Sequence, residues 1–206
     1  MADVADGQNR GNAKVSAGQA LLASYEKDEA LLRLARLLSD KGWSLLGSAG
    51  TAKYLNDNGI VCRDVAEIVG KPILGHRVVT LSRELHAALL ATPKDSGELR
   101  ELGIEPIDLV YVTLYPLERT ISSSSATPDD VLEKTDIGGP TLLRSAAKGR
   151  RLALSNSSQI DELKKWLDAG SPEGERGALV LRFAAAAERR VADYVAASAA
   201  YWEKKI

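Results

Sequence analysis

From Gln19 onward, short apolar runs alternate with segments in which leucine and alanine recur every three or four positions, as in a chain of alternating strands and helices. Ala20–Ser24 predicts a first strand. Residues 28–40 predict a helix, with Leu31, Leu32, Leu34, Ala35, Leu37 and Leu38 at helical spacing, and Trp43–Leu46 a second strand. Thr51–Asn58 reads as a second helix closed near Gly59, and Val61–Val65 as a third, shorter strand. Residues 66–90 carry a weaker pattern, with a loop near Gly70–Gly75 and a helix around Ser82–Leu90. Glu98–Leu102 is a helical turn. Ile107–Thr113 is nearly continuous in β-forming residues, the composition of a parallel strand buried on both faces.

Thr127-Pro128-Asp129-Asp130 is a helix start, with a threonine cap, proline at the first helical position and acids in the first turn. A short amphipathic helix follows Gly138–Gly139. Arg151–Ser155 predicts another buried strand, Ser158 caps a helix over Gln159–Ala169 that Gly170 ends, and residues 176–204 form a long alanine-rich helix or a helical pair. Residues 1–17 are polar and without period, and read as a flexible tail ahead of one domain spanning 18–206. The fold class is therefore α/β, with a single open, mainly parallel sheet flanked by helices. Such sheets bind ligands at the carboxyl ends of their strands.

Composition narrows the function more than the fold. The hydrophobic share of 45% and charged share of 27% suit a globular domain, and a net charge of −1 gives no basic field for nucleic acid or an anionic membrane. The one cysteine, Cys62, suits a reducing cytoplasm and excludes an internal disulfide; with only His76 and His86 beside it, a metal centre is not expected. No apolar run approaches the roughly 18 residues of a membrane span.

Two segments carry candidate chemistry. In Asp136–Gly149 the diglycine Gly138–Gly139 reads as a tight turn into a helix, with Pro140 at its first position and Gly149 as its left-handed cap. Thr141, Arg144, Ser145 and Lys148 fall on one face and Leu142, Leu143, Ala146 and Ala147 on the other. A surface helix with solvated charges fits this pattern. So does a site, because glycines admit a close approach and the helix N-terminus favours an anion. Gly47-Ser48-Ala49-Gly50-Thr51, between a strand and its helix, is either a plain turn capped by Thr51 or a cradle of backbone N–H groups and hydroxyls for an anion.

The first of these segments resembles the D-I-G-G-x-T-L-L-R-A-A-A-K-N signature of the inosine monophosphate (IMP) cyclohydrolase domain, departing at Ser145 and Gly149. That domain is one half of a bifunctional purine-biosynthesis protein whose other half is an AICAR transformylase. Gly47–Thr51 is similar to the family's phosphate-binding S-T-G-G-T, with Gly50 and Thr51 matching and Ser48 a conservative stand-in. Gly75–Leu81 resembles G-x-R-V-K-T-L, with Arg77 and Thr80 matching and Val79 in place of an active-site lysine. Thr113–Leu117 resembles N-L-Y-P-F, with Tyr115 at the active-site tyrosine. Ser24–Lys27 resembles V-S-D-K, with Lys27 matching and Tyr25 at the serine. Tyr194 and Tyr201 match tyrosines of the family's final helix and are expected to pack.

The resemblance implies a methylglyoxal-synthase-like fold and closure of 5-formamidoimidazole-4-carboxamide ribotide to IMP without a cofactor. Asp136, Lys148 and Tyr115 would be catalytic, with Lys148 and the N–H groups of Gly138 and Gly139 stabilising an oxyanion. Lys27, Ser48, Gly50, Thr51, Arg77, Thr80, Ile137, Gly138 and Gly139 would bind the substrate. It implies a cytoplasmic protein, a homodimer, and a separate source for the transformylase step. Because Val79 and Tyr25 replace family residues, a ribotide-binding module or sensor without full catalysis is the alternative. An enzyme of the same fold acting on another substrate, such as a methylglyoxal-forming lyase, is less consistent with the Asp136 segment.

Overall fold

The computed structural model describes residues 17–75 and 77–206. Five strands, β1 (Gln19–Ser24), β2 (Ser44–Gly47), β3 (Arg63–Asp64), β4 (Leu109–Thr113) and β5 (Leu152–Leu154), form one sheet in the order β3-β2-β1-β4-β5. Every pairing is parallel. The helices are α1 (Glu29–Asp40), α2 (Ala49–Asp57), α3 (Ala66–Val69), α4 (Arg83–Leu90), α5 (Ser96–Glu101), α6 (Leu117–Ile121), α7 (Pro128–Glu133), α8 (Gly138–Lys148), α9 (Ile160–Asp168) and α10 (Glu173–Glu203). The sequence-based reading gives the strands and the longer helices within a few residues; α3 and α6 are additions, and the third strand shrinks to two paired residues. The expected tail lies outside the described residues except for Ala17, whose N–H donates to the Gly42 carbonyl at 3.0 Å.

Strand pleating sorts the core into two layers. Ala20, Leu22, Leu109, Tyr111, Leu152 and Leu154 face α1, α2 and α9. Leu21, Val110, Val112 and Ala153 face α4 and α8. Apolar residues at consecutive positions therefore bury both faces, each large side chain stabilising the fold by about 1.5–3 kcal/mol. Helix α10, 31 residues long, is a single helix rather than a pair. It serves both layers: Leu179, Val180 and Phe183 pack in the first, Ala187, Val191 and Tyr194 in the second. Among the described residues, no helix is long and apolar enough to cross a membrane. Cys62 is buried beneath β2, where its Sγ would lie 2.9 Å from a Cβ added at Gly47. Burial, with a smaller effect of Asp64, pushes its thiol up to about 12.

Three helix ends differ from expectation. Asn156, not Ser158, caps the segment leading to α9: its side chain accepts the Ser158 N–H at 2.8 Å while Gln159 reaches back to the Asn156 N–H at 3.0 Å. Pro140 sits at the third position of α8, still within the first turn, where its missing N–H costs no helical bond. Gly149 is not left-handed (φ −77°); the positive φ falls on Arg150, at 56°. Glycine is required at 149 by contact instead, since a Cβ there would lie 2.0 Å from the Leu89 carbonyl oxygen.

Candidate functional site

The chain runs from β1 outward through β2 to β3, then returns to place β4 on the other side of β1. The reversal opens a crevice at the carboxyl ends of β1 and β4, where Ser24 and Thr113 are register partners. A cleft of about 580 Å³ lies there, walled by the segment after β1 (Tyr25, Lys27), the start of α2 (Ser48–Gly50), the loop between α3 and α4 (Arg77, Val79, Thr80), Tyr115, Glu133, and Thr135–Gly139.

A set of hydroxyls joins the strand ends. Ser24 Oγ donates to the Glu26 carbonyl at 2.7 Å, so the 2.7 Å bond between Ser24 and Thr113 is donated by Thr113, whose oxygen accepts the Glu26 N–H at 3.2 Å. Thr51 Oγ1 accepts the Ser24 N–H at 3.2 Å and the Ser48 hydroxyl at 3.0 Å, and donates to the Ser24 carbonyl at 3.3 Å. Thr51 is 0% exposed and occupied on every side, so it ties β1 to α2 and does not reach a ligand. That corrects its expected binding role. Ser48 and Gly50 do line the cleft. The first N–H groups of α2, which have no partner within the helix, lie beside them. Gly47 has no room for a side chain, since a Cβ there would meet Ala52 N at 2.8 Å and Cys62 Sγ at 2.9 Å.

The Lys27 ammonium donates to the Ser24 carbonyl and, at 3.4 Å, to that of Tyr25, with its stem beside Gly50. Burial lowers its pKa. On the opposite wall Arg77 is exposed and donates to the Leu74 carbonyl at 3.1 Å. Val79 turns a half-buried apolar side chain into the second core layer and the cleft. Arg83, which could have replaced the lysine missing at 79, pairs with Glu84 at 3.5 Å and does not line the cleft.

Asp136 is the centre of the opposite rim. Its Oδ1 accepts the Gly139 N–H at 2.9 Å, so the carboxylate itself caps α8. Burial raises its pKa, against the lowering effect of the backbone N–H groups of Gly139, Tyr115 and Gly138. The diglycine N–H groups therefore hold Asp136 and are not free for an oxyanion, which corrects the role expected of them. Their small size is enforced by neighbours: a Cβ at Gly138 would lie 2.6 Å from Thr80 Oγ1, and one at Gly139 would lie 2.5 Å from Asp136 Oδ2. Ile137, 59% exposed, adds an apolar edge.

Tyr115 packs on Tyr25 with ring centroids 5.1 Å apart at 55°. Burial raises the Tyr115 phenol, reinforced by Asp136, Glu133 and Tyr25, so it stays a proton donor at neutral pH. Lys134 was not singled out from sequence; its ammonium lies 6.0 Å from each of these ring centroids. A cation ending a helix has no local mark of such a place.

Lys148 stands farther along the same helix. It occupies the last turn of α8, ten residues beyond Gly138, and at 1.5 Å rise per residue that is about 15 Å along the axis. It lines a groove of about 770 Å³ between α8 and α10 that shares Thr135, Asp136 and Ile137 with the cleft, while Tyr115 and Ser48 line the cleft alone. The polar face of α8 thus brings Lys148 to the same groove as Asp136, with Arg144 and Ser145 between them. The groove is the larger of the two cavities, yet the polar groups converge in the cleft at the strand ends. His86 is tucked between helices, Nδ1 2.9 Å from Ser145 Oγ, and burial lowers its pKa. Among the described residues, no group of three or more His, Cys, Asp or Glu side chains converges as a metal site would require.

An all-parallel α/β sheet with a polar crevice at its switch point defines the class, and residues 30–141 match the MGS-like domain. The chain belongs to that family. It is 42% identical over 163 residues to the bifunctional purine biosynthesis protein PurH of Thermosynechococcus vestitus, covering 74% of this chain and 32% of that protein. It is 37% identical over 158 residues to PurH of Persephonella marina, covering 72% and 30%. The chain thus spans about a third of the length of these relatives. The crystal structure of ForH superimposes with a TM-score of 0.76 at 32% identity, over 91% of this chain and 100% of that one.

Proposed function

We propose that the chain is an IMP cyclohydrolase, closing 5-formamidoimidazole-4-carboxamide ribotide to IMP with loss of water. The observation that carries this reading is the convergence of Asp136, Tyr115, Lys27 and the start of α2 on one cleft. The ribotide phosphate lies against Ser48, Gly50 and the α2 N-terminus, where the helix dipole favours negative charge, with Lys27 beside it. Arg77 and Thr80 flank the sugar and base. The carboxamide nitrogen attacks the formyl carbon within one molecule, so much of the proximity is built into the substrate. Asp136 accepts a proton from that nitrogen as the N–C bond forms. Tyr115 donates its proton to the developing oxyanion; Asp136 then returns its proton to the carbinol oxygen as the C–O bond breaks and water leaves, and the remaining N–H proton of the new ring goes back to Tyr115. Purine biosynthesis is the process in the names of the PurH relatives.

The test is to mix the pure protein with the formamido ribotide and follow IMP absorbance. Val79 supports a second reading, a ribotide-binding module, because it leaves an apolar wall where the family lysine would place a charge. Val79→Lys is expected to raise turnover by up to roughly 10²-fold, the scale of one preorganised donor. Lys27→Ala is expected to lower it more than a surface substitution does. Ribotide binding with no IMP from either the wild type or Val79→Lys would sink the enzyme reading in favour of the module.

A further inference from the structure

We propose that Tyr194 is a positioning residue whose hydroxyl sets Asp136 and Lys134 in place on the rim of the cleft. The inference rests on the reading of Asp136 as the proton acceptor. Tyr194 comes from α10, 58 residues beyond Asp136, and is 1% exposed. Its oxygen accepts the Asp136 N–H at 2.7 Å and its proton goes to the Lys134 carbonyl at 2.8 Å. One hydroxyl thereby closes the backbone on both sides of Thr135. Asp136 is the residue whose carboxylate caps α8 in the cleft, and Lys134 the one whose ammonium faces the Tyr25 and Tyr115 rings.

The anchor is itself fixed. The Arg190 guanidinium lies 5.5 Å from the Tyr194 ring centroid, and Arg190 pairs with Glu118 on α6. A phenylalanine of the same shape would have packed equally well in this layer. What the hydroxyl adds is the pairing of two backbone groups that irregular chain would otherwise leave unmatched. Burial pushes the phenol up to about 12, so it keeps its proton over the physiological range. The ionisable groups around Asp136 are Tyr115 beyond β4, Glu133 and Lys134 at the end of α7, Lys27 and Arg77 in the cleft, Arg144 and Lys148 along α8, and Tyr194, with Arg190 and Glu118 behind it.

The experiment is Tyr194→Phe in the full chain, read by the ¹³C titration of the Asp136 carboxyl carbon and by kcat and KM for IMP formation. The titration midpoint is expected to fall towards the ordinary carboxylate value as the released loop lets water reach Asp136. Turnover is expected to drop about 10- to 100-fold, the cost of a reacting group misplaced by an ångström, with KM within about twofold. Val191→Ala, which loosens α10 without touching the hydroxyl, should lower the melting temperature and leave the Asp136 titration where it was. A Tyr194→Phe protein with an unmoved Asp136 titration, or with undiminished kcat, overturns the proposal. Should that variant not fold, amide exchange of Asp136 in the wild type decides: slow exchange supports the bond, exchange at the unstructured rate overturns it. If the wild type makes no IMP, the cyclohydrolase reading fails, and the titration still reports on Tyr194.

Discussion

Asp136→Asn is expected to leave a folded protein that has lost roughly 10²- to 10⁴-fold in turnover, the contribution of a positioned general base. Asparagine keeps one acceptor oxygen for the Gly139 N–H that Asp136 now binds at 2.9 Å, so the α8 cap survives. It cannot take a proton from the carboxamide nitrogen. The pH profile sharpens the test. Burial raises the Asp136 carboxyl above its ordinary value, so wild-type kcat/KM should climb as pH rises through that raised pKa, and this limb should vanish in the variant. Stability moves the other way. A carboxyl whose folded pKa exceeds its unfolded one contributes stability below the unfolded value, and that contribution is lost as pH rises through the folded value. At neutral pH the ionised group is therefore a cost to the fold, which Asp136→Asn removes while giving up one of the two oxygens that accept from the Gly139, Tyr115 and Gly138 N–H groups. A variant that keeps full turnover would remove Asp136 from the mechanism; one that unfolds would make it a structural cap.

Gly149→Ala should be the most damaging single methyl among the glycine positions described above. A Cβ at 149 would sit 2.0 Å from the Leu89 carbonyl oxygen and 3.2 Å from that of Ser145. Neither obstacle is the far end of a flexible side chain. Leu89 lies in α4, and the same carbonyl accepts Arg151 Nε at 2.9 Å, so it cannot withdraw without breaking a half-buried contact. The cost of such overpacking is about 3 kcal/mol, the upper end of its usual range. For a domain of this size that lowers the melting temperature by roughly 6–12 °C. The damage should reach the site through α8, whose first turn is bound to Asp136. Calorimetry of the variant checks this, and a melting temperature within a degree or two of wild type would mean that α4 and α8 can separate freely.

What sequence could reveal here depended on how local the determinant is. Ile107–Thr113 declared itself because a strand buried on both faces has no polar alternation, and Ser82 and Thr127 because a helix cap is decided within three residues. The fold class and most of the cleft followed, since Tyr115, Lys27, Ser48 and Asp136 all lie just beyond strand ends or at helix starts. Thr51 was assigned to the ligand because a hydroxyl at a helix start suits either role; only its bonds to Ser24, 27 residues away, show that it is spent internally. Lys148 shares a groove with Asp136, as the polar face of α8 predicts, while Tyr115 and Ser48 line only the cleft at the strand ends. Tyr194 was set down as packing because its two bonds cross 58 and 60 residues and leave no trace in its own neighbourhood.

The burial of Cys62 has a practical consequence. Burial pushes its thiol well above the usual cysteine range, so the thiolate is scarce at neutral pH, and Gly47 and α2 lie against the sulfur. Alkylating reagents and mild oxidants therefore meet an inert protein while the sheet is closed. Reaction at the sulfur would require α2 to part from β2, which would also dismantle the Ser48–Gly50 wall. The sole thiol of the chain is thus a natural chemical clock for opening of that wall, readable without introducing any label.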